Sequence, residues 1–324
     1  MKRRRFIQTS VLATLPLNLA AEAAAWRKAA PLPRQVQELY TAVHKGKLYV
    51  AGGIGARLGV AYFTKAVSAY EPLTDAWADV PDLPEDLHHV ALISDGENLY
   101  GMGGFNGGFT HVWRMRDAVY RLENDRWVQI GQLPTRQAEG VVTHHNGLIH
   151  VVTGQQPKGE ANSARSDHTE GQLHWTWDGE VWRDLAPIPT PRNSATGGWI
   201  GNQLVITGGR TARGNLSVTE VYDAKTDQWH TAAPMPLPQA GTASVVVDQS
   251  LIVFGGEIFS PKAAVFPNVW RYNLLSDTWD ALPDMPTPRH GLGAGKIGDQ
   301  IFVVGGATEP GGSGTSDLNE VLVI

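Results

Sequence analysis

Apolar residues in this chain come in short bursts divided by turn formers. The segment ASVVVDQSLIVFGG is typical: the run ASVVV, three polar residues, then LIVF closed by two glycines, with VWRYN and a segment around Trp279 following. Runs of this length, rich in β-branched and aromatic side chains and bounded by Gly, Asp, Asn and Pro, predict strands. SVVV and LIVF are apolar at consecutive positions, so both faces of these strands are expected to be covered. The reading is strand one over ASVVV, a turn at 248–250, strand two over LIVFGG, strand three over VWRYN and strand four around Trp279, with little helix anywhere.

The same pattern recurs along the chain. Trp26, Trp77, Trp127, Trp182, Trp229 and Trp279 each have a proline seven residues on, at Pro33, Pro84, Pro134, Pro189, Pro236 and Pro286. Twenty residues past each proline stands a glycine: Gly53, Gly104, Gly154, Gly209, Gly256 and Gly306. Another glycine precedes each of these except Gly154, which follows Thr153. An aromatic stands seven residues before the tryptophan in five units, at Tyr70, Tyr120, Trp175, Tyr222 and Tyr272. Spacing held without gaps at a period near 50 residues marks a repeat array.

Apolar runs ending in a double glycine (LYVAGG, LVITGG, LIVFGG, IFVVGG), with Tyr and Trp seven apart, resemble the kelch repeat, whose unit is one four-stranded blade of a β-propeller. The resemblance spans about residues 26–324 and implies an all-β, six-bladed kelch β-propeller forming one domain. The chain ends on EVLVI, which aligns with TEVYD, the third strand of a unit, and the missing fourth strand matches AWRKAAPLP near the other end. The last blade is therefore expected to be closed by the N-terminal strand, which removes an open sheet edge.

Residues 1–25 combine a basic head (Arg3, Arg4, Arg5), a short apolar stretch interrupted by Pro16 and Asn18, and Ala23, Ala24 and Ala25 as a cleavage site. This resembles a twin-arginine export signal and places the mature domain, residues 26–324, in the periplasm. No segment of the mature chain is long and apolar enough to span a bilayer as a helix. The sequence has no cysteine, which excludes disulfides and thiolate metal ligands. A net charge of −5 gives no basic footprint for nucleic acid. A monomer is expected.

Length varies only between the last glycine of a unit and the next aromatic, over 17, 16, 21, 13 and 16 residues, so binding residues are sought on that face. Four residues after the prolines stand Gln37, His88, Ala138, Asn193, Ala240 and His290; the next positions hold Glu38, His89, Glu139, Ser194, Gly241 and Gly291. In peptide-binding kelch domains such positions line the channel mouth. Loops after the glycines add Arg57, Asn106, Gln155, Gln156, Arg210, Arg213, Glu257 and Lys262. The longest, residues 154–171, carries Arg165, Asp167 and His168 and is read as a lid or binding finger. Trp113 is a candidate mouth aromatic. Glu38, His88, His89, Glu139 and His290 have metal-compatible chemistry, but without a tight ligand motif they are read as hydrogen-bonded lining, with no metal and no cofactor.

Two enzyme families share this resemblance. Galactose oxidase needs a Tyr–Cys thioether, which a chain without cysteine cannot form. The sialic acid mutarotases (N-acetylneuraminate epimerases) use a glutamate after a double glycine with a nearby arginine. Here Glu257 follows Gly255 and Gly256, Lys262 stands where the arginine is looked for, and Arg210 and Arg213 come from the adjacent unit. The sequence thus supports three readings: a binding module for a small polar ligand such as a carbohydrate or carboxylated sugar, with Glu38, His88, His89, Glu139, Asn193, Ser194, Arg210, Arg213, His290, Asp167 and His168 as the site; a mutarotase with Glu257 catalytic; or a scaffold for a protein partner.

Overall fold

The computed structural model describes residues 25–57, 60–108 and 111–324. The expected export leader lies outside these, apart from Ala25, which begins a strand. Among the described residues there is no α-helix, and hence no helix long and apolar enough to cross a membrane; the one helical turn is the 3-10 segment Arg165–Asp167.

Among the described residues the chain forms six four-stranded antiparallel sheets, with smaller two- and three-stranded sheets in the loops after the glycines. The strands read from the sequence are found in place: Ala243–Val247, Ser250–Phe254, Val269–Asn273 and Thr278–Leu282 form one sheet in that order. Between the first two strands the chain reverses in two residues. In the third unit those residues are Asn146 and Gly147, with φ of 49° and 79°, the left-handed pair that matches the twist of a hairpin. The sixth sheet takes its outer strand from the other end of the chain: Ala25–Lys28 pairs antiparallel with Asn319–Val323, Ala25 opposite Val323 and Lys28 opposite Glu320.

The Tyr–Trp spacing has a direct structural meaning. Tyr222 and Trp229 lie opposite each other across strands three and four, as do Tyr70 with Trp77 and Tyr272 with Trp279. Two residues before the tryptophan, an aspartate in the tight turn accepts the tyrosine hydroxyl and also a backbone N–H from the preceding unit, as Asp227 does for Tyr222 and Ala186. The Trp229 indole N–H donates to the carbonyl of the same Ala186 at 2.8 Å. Trp77 and Asp75 hold Ala30, and Trp279 and Asp277 hold Ala233, in the same way. In these three units one alanine of the preceding unit is thus held by both backbone groups, whereas Trp127 donates to Pro81 O at 2.8 Å and Tyr120 to Glu85 at 2.9 Å. Trp26 donates to Pro283 O at 3.1 Å and packs edge-on against Phe254, taking the place of the tryptophan the last unit lacks.

The double glycines serve a second link between units. The second glycine of each pair donates its N–H to a carbonyl of the next unit, and Gly306 donates to Val36, so the last unit bonds to the first. That carbonyl lies over the first glycine: a Cβ on Gly52 would sit 2.2 Å from Leu87 O, and one on Gly255 2.3 Å from Arg289 O. Thr153, the exception, shows how the requirement is met otherwise. It keeps a left-handed φ of 52°, and its hydroxyl donates to Arg192 O at 2.6 Å and accepts from Arg192 N–H at 2.9 Å. Two guanidiniums are wholly buried between sheets, each against a buried glutamate: Arg192 with Glu220 at 3.0 Å and Arg289 with Glu320 at 2.9 Å.

Two predictions follow from these contacts. Deleting residues 26–33 removes the strand over Asn319–Val323, the Trp26 contacts and buried Leu32; the melting temperature is expected to fall by about 5 °C or more, and an unchanged calorimetric transition would refute the structural role of this strand. The second concerns His150 and His174, buried side by side with Nδ1 and Nε2 3.0 Å apart. Burial holds His150 down to about 3 and His174 down to about 4. Between those values and the unfolded pKa near 6.5 the unfolded chain binds more protons than the native one, so stability falls as the pH falls, by roughly 2 kcal/mol per histidine from pH 7 to pH 5. Urea unfolding at the two pH values should show a smaller loss for His150→Phe, which copies Phe302 of the last unit; an equal loss would mean the imidazole charges in place.

Candidate functional site

The residues five places after the proline converge on one ring. Glu38, His89, Glu139, Ser194, Gly241 and Gly291 all adopt left-handed φ, between 53° and 66°. Their backbones bond from unit to unit: His89 N to Glu38 O, Ser194 N to Glu139 O, Gly241 N to Ser194 O, Gly291 N to Gly241 O and, more weakly, Leu39 N to Gly291 O at 3.4 Å. The residue before each pairs in antiparallel fashion with the residue after a double glycine: Gln37 with Ile54, His88 with Phe105, Ala138 with Gln155, Asn193 with Arg210, Ala240 with Glu257 and His290 with Ala307. These two loops therefore share a face, as the alternation of antiparallel strands requires.

Within this ring the acidic and imidazole side chains meet. His89 Nε2 lies 2.8 Å from Glu38 Oε2 and 3.4 Å from Glu139 Oε1; His290 Nε2 lies 3.6 Å from Glu38 Oε1 and 3.4 Å from Glu257 Oε2. Proton positions follow from hydrogen-bond logic. His88 Nε2 is 2.7 Å from Val112 O, and a carbonyl only accepts, so that nitrogen carries hydrogen. Burial, aided by the charge of His89, holds His88 down to about 3, so it is neutral and its Nδ1 accepts from His89 Nδ1 at 2.7 Å. His89 then faces Glu38 with Nε2, and one proton sits between them. Burial raises the Glu38 carboxyl, but His89 and His290 outweigh it and hold the group well below its ordinary value. Burial likewise pulls His290 down, and Glu38 and Glu257 overcome it and raise it. Tyr40, beside His89, is pushed up by burial and by Glu139 and Glu38.

Glu257 is held on all sides. Its Oε1 accepts from Arg210 Nη1 at 2.6 Å and its Oε2 from Gly311 N–H at 2.8 Å, and 1% of the residue is exposed. Burial lowers Arg210, but Glu139 and Glu257 more than offset it and raise it. Glu139 is fully buried with no hydrogen-bond partner on either oxygen among the described residues, and Arg165 Nη2 comes within 3.6 Å of it. The Arg165 guanidinium also covers the Trp113 ring at 4.7 Å, a cation–π contact. Asn193 accepts from the Ser194 hydroxyl at 3.0 Å and donates to Glu170 at 3.3 Å.

Above the ring opens a cleft of about 560 Å³ between the hairpin of Gln155–Pro157 and His168–Glu170 and the loop beginning at Arg210. Lys158, Arg165, His168, Asn193, Arg210 and Phe259 are among its walls. Burial lowers His168, whose ring stacks on Phe105.

Several residues singled out in the sequence lie elsewhere. Arg213 and Lys262 are both exposed. Asp167 does not pair with Arg165: its Oδ2 accepts the N–H groups of Ser163 and Ala164 and shapes the long loop. Asn106 bonds Asp86 O and lies outside the ring cluster; of Arg57 only the backbone is described. The sequence reading passed over Phe105, one residue from Asn106, although its place after a double glycine matches that of Arg210 and Glu257. Phe63 and Phe105 sandwich His88, at 5.3 and 5.2 Å between ring centroids.

Residues 131–306 match the KLHDC2/KLHL20/DRC7 Kelch-repeats domain and residues 41–84 match the Kelch motif. The chain belongs to the kelch-repeat family. It is 27% identical over 248 residues to Kelch-like protein terF of Aspergillus terreus, covering 72% of this chain and 52% of that protein. It is 26% identical over 201 residues to Kelch-like protein 34 of Homo sapiens, covering 60% and 29% of the two. A Kelch domain-containing protein of Sulfurisphaera tokodaii is 28% identical over 146 residues, 44% of this chain and 19% of that one. The chain spans about half or less of the length of these relatives.

Removing the cation from a buried pair leaves an uncompensated charge. Arg210→Met is therefore expected to destabilise the protein by roughly 3–5 kcal/mol in urea unfolding; a loss below about 1 kcal/mol would mean that Glu257 is compensated by its other neighbours.

Proposed function

We propose that this chain is an exported, six-bladed kelch β-propeller, closed by its N-terminal strand, that binds a small anionic ligand of the carboxylated-sugar type on its variable-loop face. The six four-stranded sheets and the bonds returning from Gly306 to Val36 support the blade count and the closure. Export to the periplasm rests on the twin-arginine pattern in the first 25 residues, and a monomer on one self-contained ring.

The observation that carries the ligand class is the convergence of Lys158, Arg165 and Arg210 on one cleft. Arginine forks suit a carboxylate, Asn193 and Gln155 offer amide partners for hydroxyls, and Phe259 offers an apolar wall for a sugar ring. A volume near 560 Å³ suits a mono- or disaccharide. Turnover by Glu257 is a weaker reading, because a substrate would have to displace Arg210 to reach its carboxylate.

A protein partner is the second reading. Val60 and Phe259, 68% and 50% exposed, stand on the same loop face, and the Kelch-like relatives carry the matched region as one part of longer chains.

Thermal shifts of the purified protein against neutral sugars, sialic acids and uronic acids test the choice. A ligand binding only the native state raises the transition by mass action. Carboxylated sugars are expected to raise it and neutral ones not, and Arg165→Ala should weaken binding at least tenfold, its ligand shift being read against its own ligand-free transition. No shift with any sugar would reject this ligand class. Unaltered anomeric exchange in Glu257→Gln would remove the catalytic reading.

A further inference from the structure

His290 is fully buried, and neither ring nitrogen has a hydrogen-bond partner among the described residues. A buried imidazole left this way calls for an explanation. Its Nε2 faces two carboxylate oxygens, Glu257 Oε2 at 3.4 Å and Glu38 Oε1 at 3.6 Å. These separations are long for hydrogen bonds. They are close to the edges of a coordination polyhedron: bonds of about 2.1 Å at tetrahedral angles set ligand atoms about 3.4 Å apart. The three ligand atoms of Glu38, Glu257 and His290 all lie within 4.8 Å of one another.

We propose that Glu38 Oε1, Glu257 Oε2 and His290 Nε2 form a site for one divalent first-row metal ion, of the Zn²⁺ or Mn²⁺ type, at the channel mouth. The sequence suggests a metal-free lining because no short motif joins these residues, which come from three different units. The partners of the outer oxygens argue for a built site. Glu38 Oε2 is held by His89 and Glu257 Oε1 by Arg210, which turn each remaining oxygen toward His290. Glu257 Oε2 also accepts the Gly311 N–H, fixing it further. Outer hydrogen bonds of this kind orient metal ligands. One imidazole and two carboxylates suit zinc, manganese or iron; the nitrogen ligand disfavours calcium and magnesium. Glu139, buried beside His89, adds a third carboxylate against the charge of Arg210. The proposal does not rest on a sugar ligand, and its readouts need none.

The test uses the untagged full chain, stripped with chelator and then dialysed separately against Zn²⁺ and Mn²⁺. About one equivalent of one of these ions is expected by plasma mass spectrometry, with a rise in the melting temperature that chelator reverses. His290→Asn and Glu38→Gln should each weaken metal binding at least tenfold in calorimetric titration, and His168→Asn should not. X-ray absorption of the loaded wild-type protein should give one imidazole with oxygen ligands, a result that needs no variant to fold. No retained metal and no shift at millimolar ion, full affinity in a folded His290→Asn, or a shell with no imidazole or with several would each overturn the site. The first outcome would leave a proton on His290 as what bridges the two carboxylates.

Discussion

The structure depends on a ring of left-handed residues. Six backbones at the same place in six units turn to positive φ, and four of the junctions between them carry a direct backbone bond, with a fifth made by Leu39 N to Gly291 O at 3.4 Å. Gly241 and Gly291 adopt this conformation freely, whereas Glu38, His89, Glu139 and Ser194 do so at a cost of order 1 kcal/mol each. A glycine in their places would relieve that cost. The four polar side chains at strained positions, all on one side of the ring, are therefore where function is sought.

Burial and charge then shape what the ring can do. The glutamates and histidines sit where solvent cannot screen them, so each must be balanced by a neighbour from a different unit: Glu257 by Arg210, Glu38 by His89, Glu139 by Arg165 reaching down from the long loop. The blank half of the ring serves the other half, because Gly291 brings its backbone to within about a carbon's width of the Glu38 carboxylate, where a Cβ would stand 3.0 Å from it. The latch found in three units, alanine held by tryptophan and aspartate, helps keep these pairs in register.

Much of this was legible as spacing. The Trp–Pro–Gly ruler located every strand of the fifth unit and placed Glu38, His89, Glu139 and Ser194 at equivalent points, because a repeat without gaps transfers position from one unit to the next. What spacing does not transfer is partnership. Arg210 with Glu257 and His290 with Glu38 are contacts between units, 47 and 252 residues apart in sequence, set by how the units pack against one another. Loop residues were the least legible: Asp167, read as a site residue, instead shapes its own turn, while Arg213 is exposed. Phe105 was missed by one position, since its role as a wall for His88 depends on the bridge between the two loops.

The joining of the two ends within one sheet also has a mechanical consequence. Ala25 and Val323 lie directly opposite each other at the same end of an antiparallel pair. A force applied between them pulls across the strands and opens their hydrogen bonds one after another, like a zipper, instead of loading them together in shear. The first firm resistance would come at Trp26, the second residue in, whose indole is tied to Pro283 and seated against Phe254. The sheet that this strand completes is thus compliant to tension along that line, where its hydrogen bonds open singly.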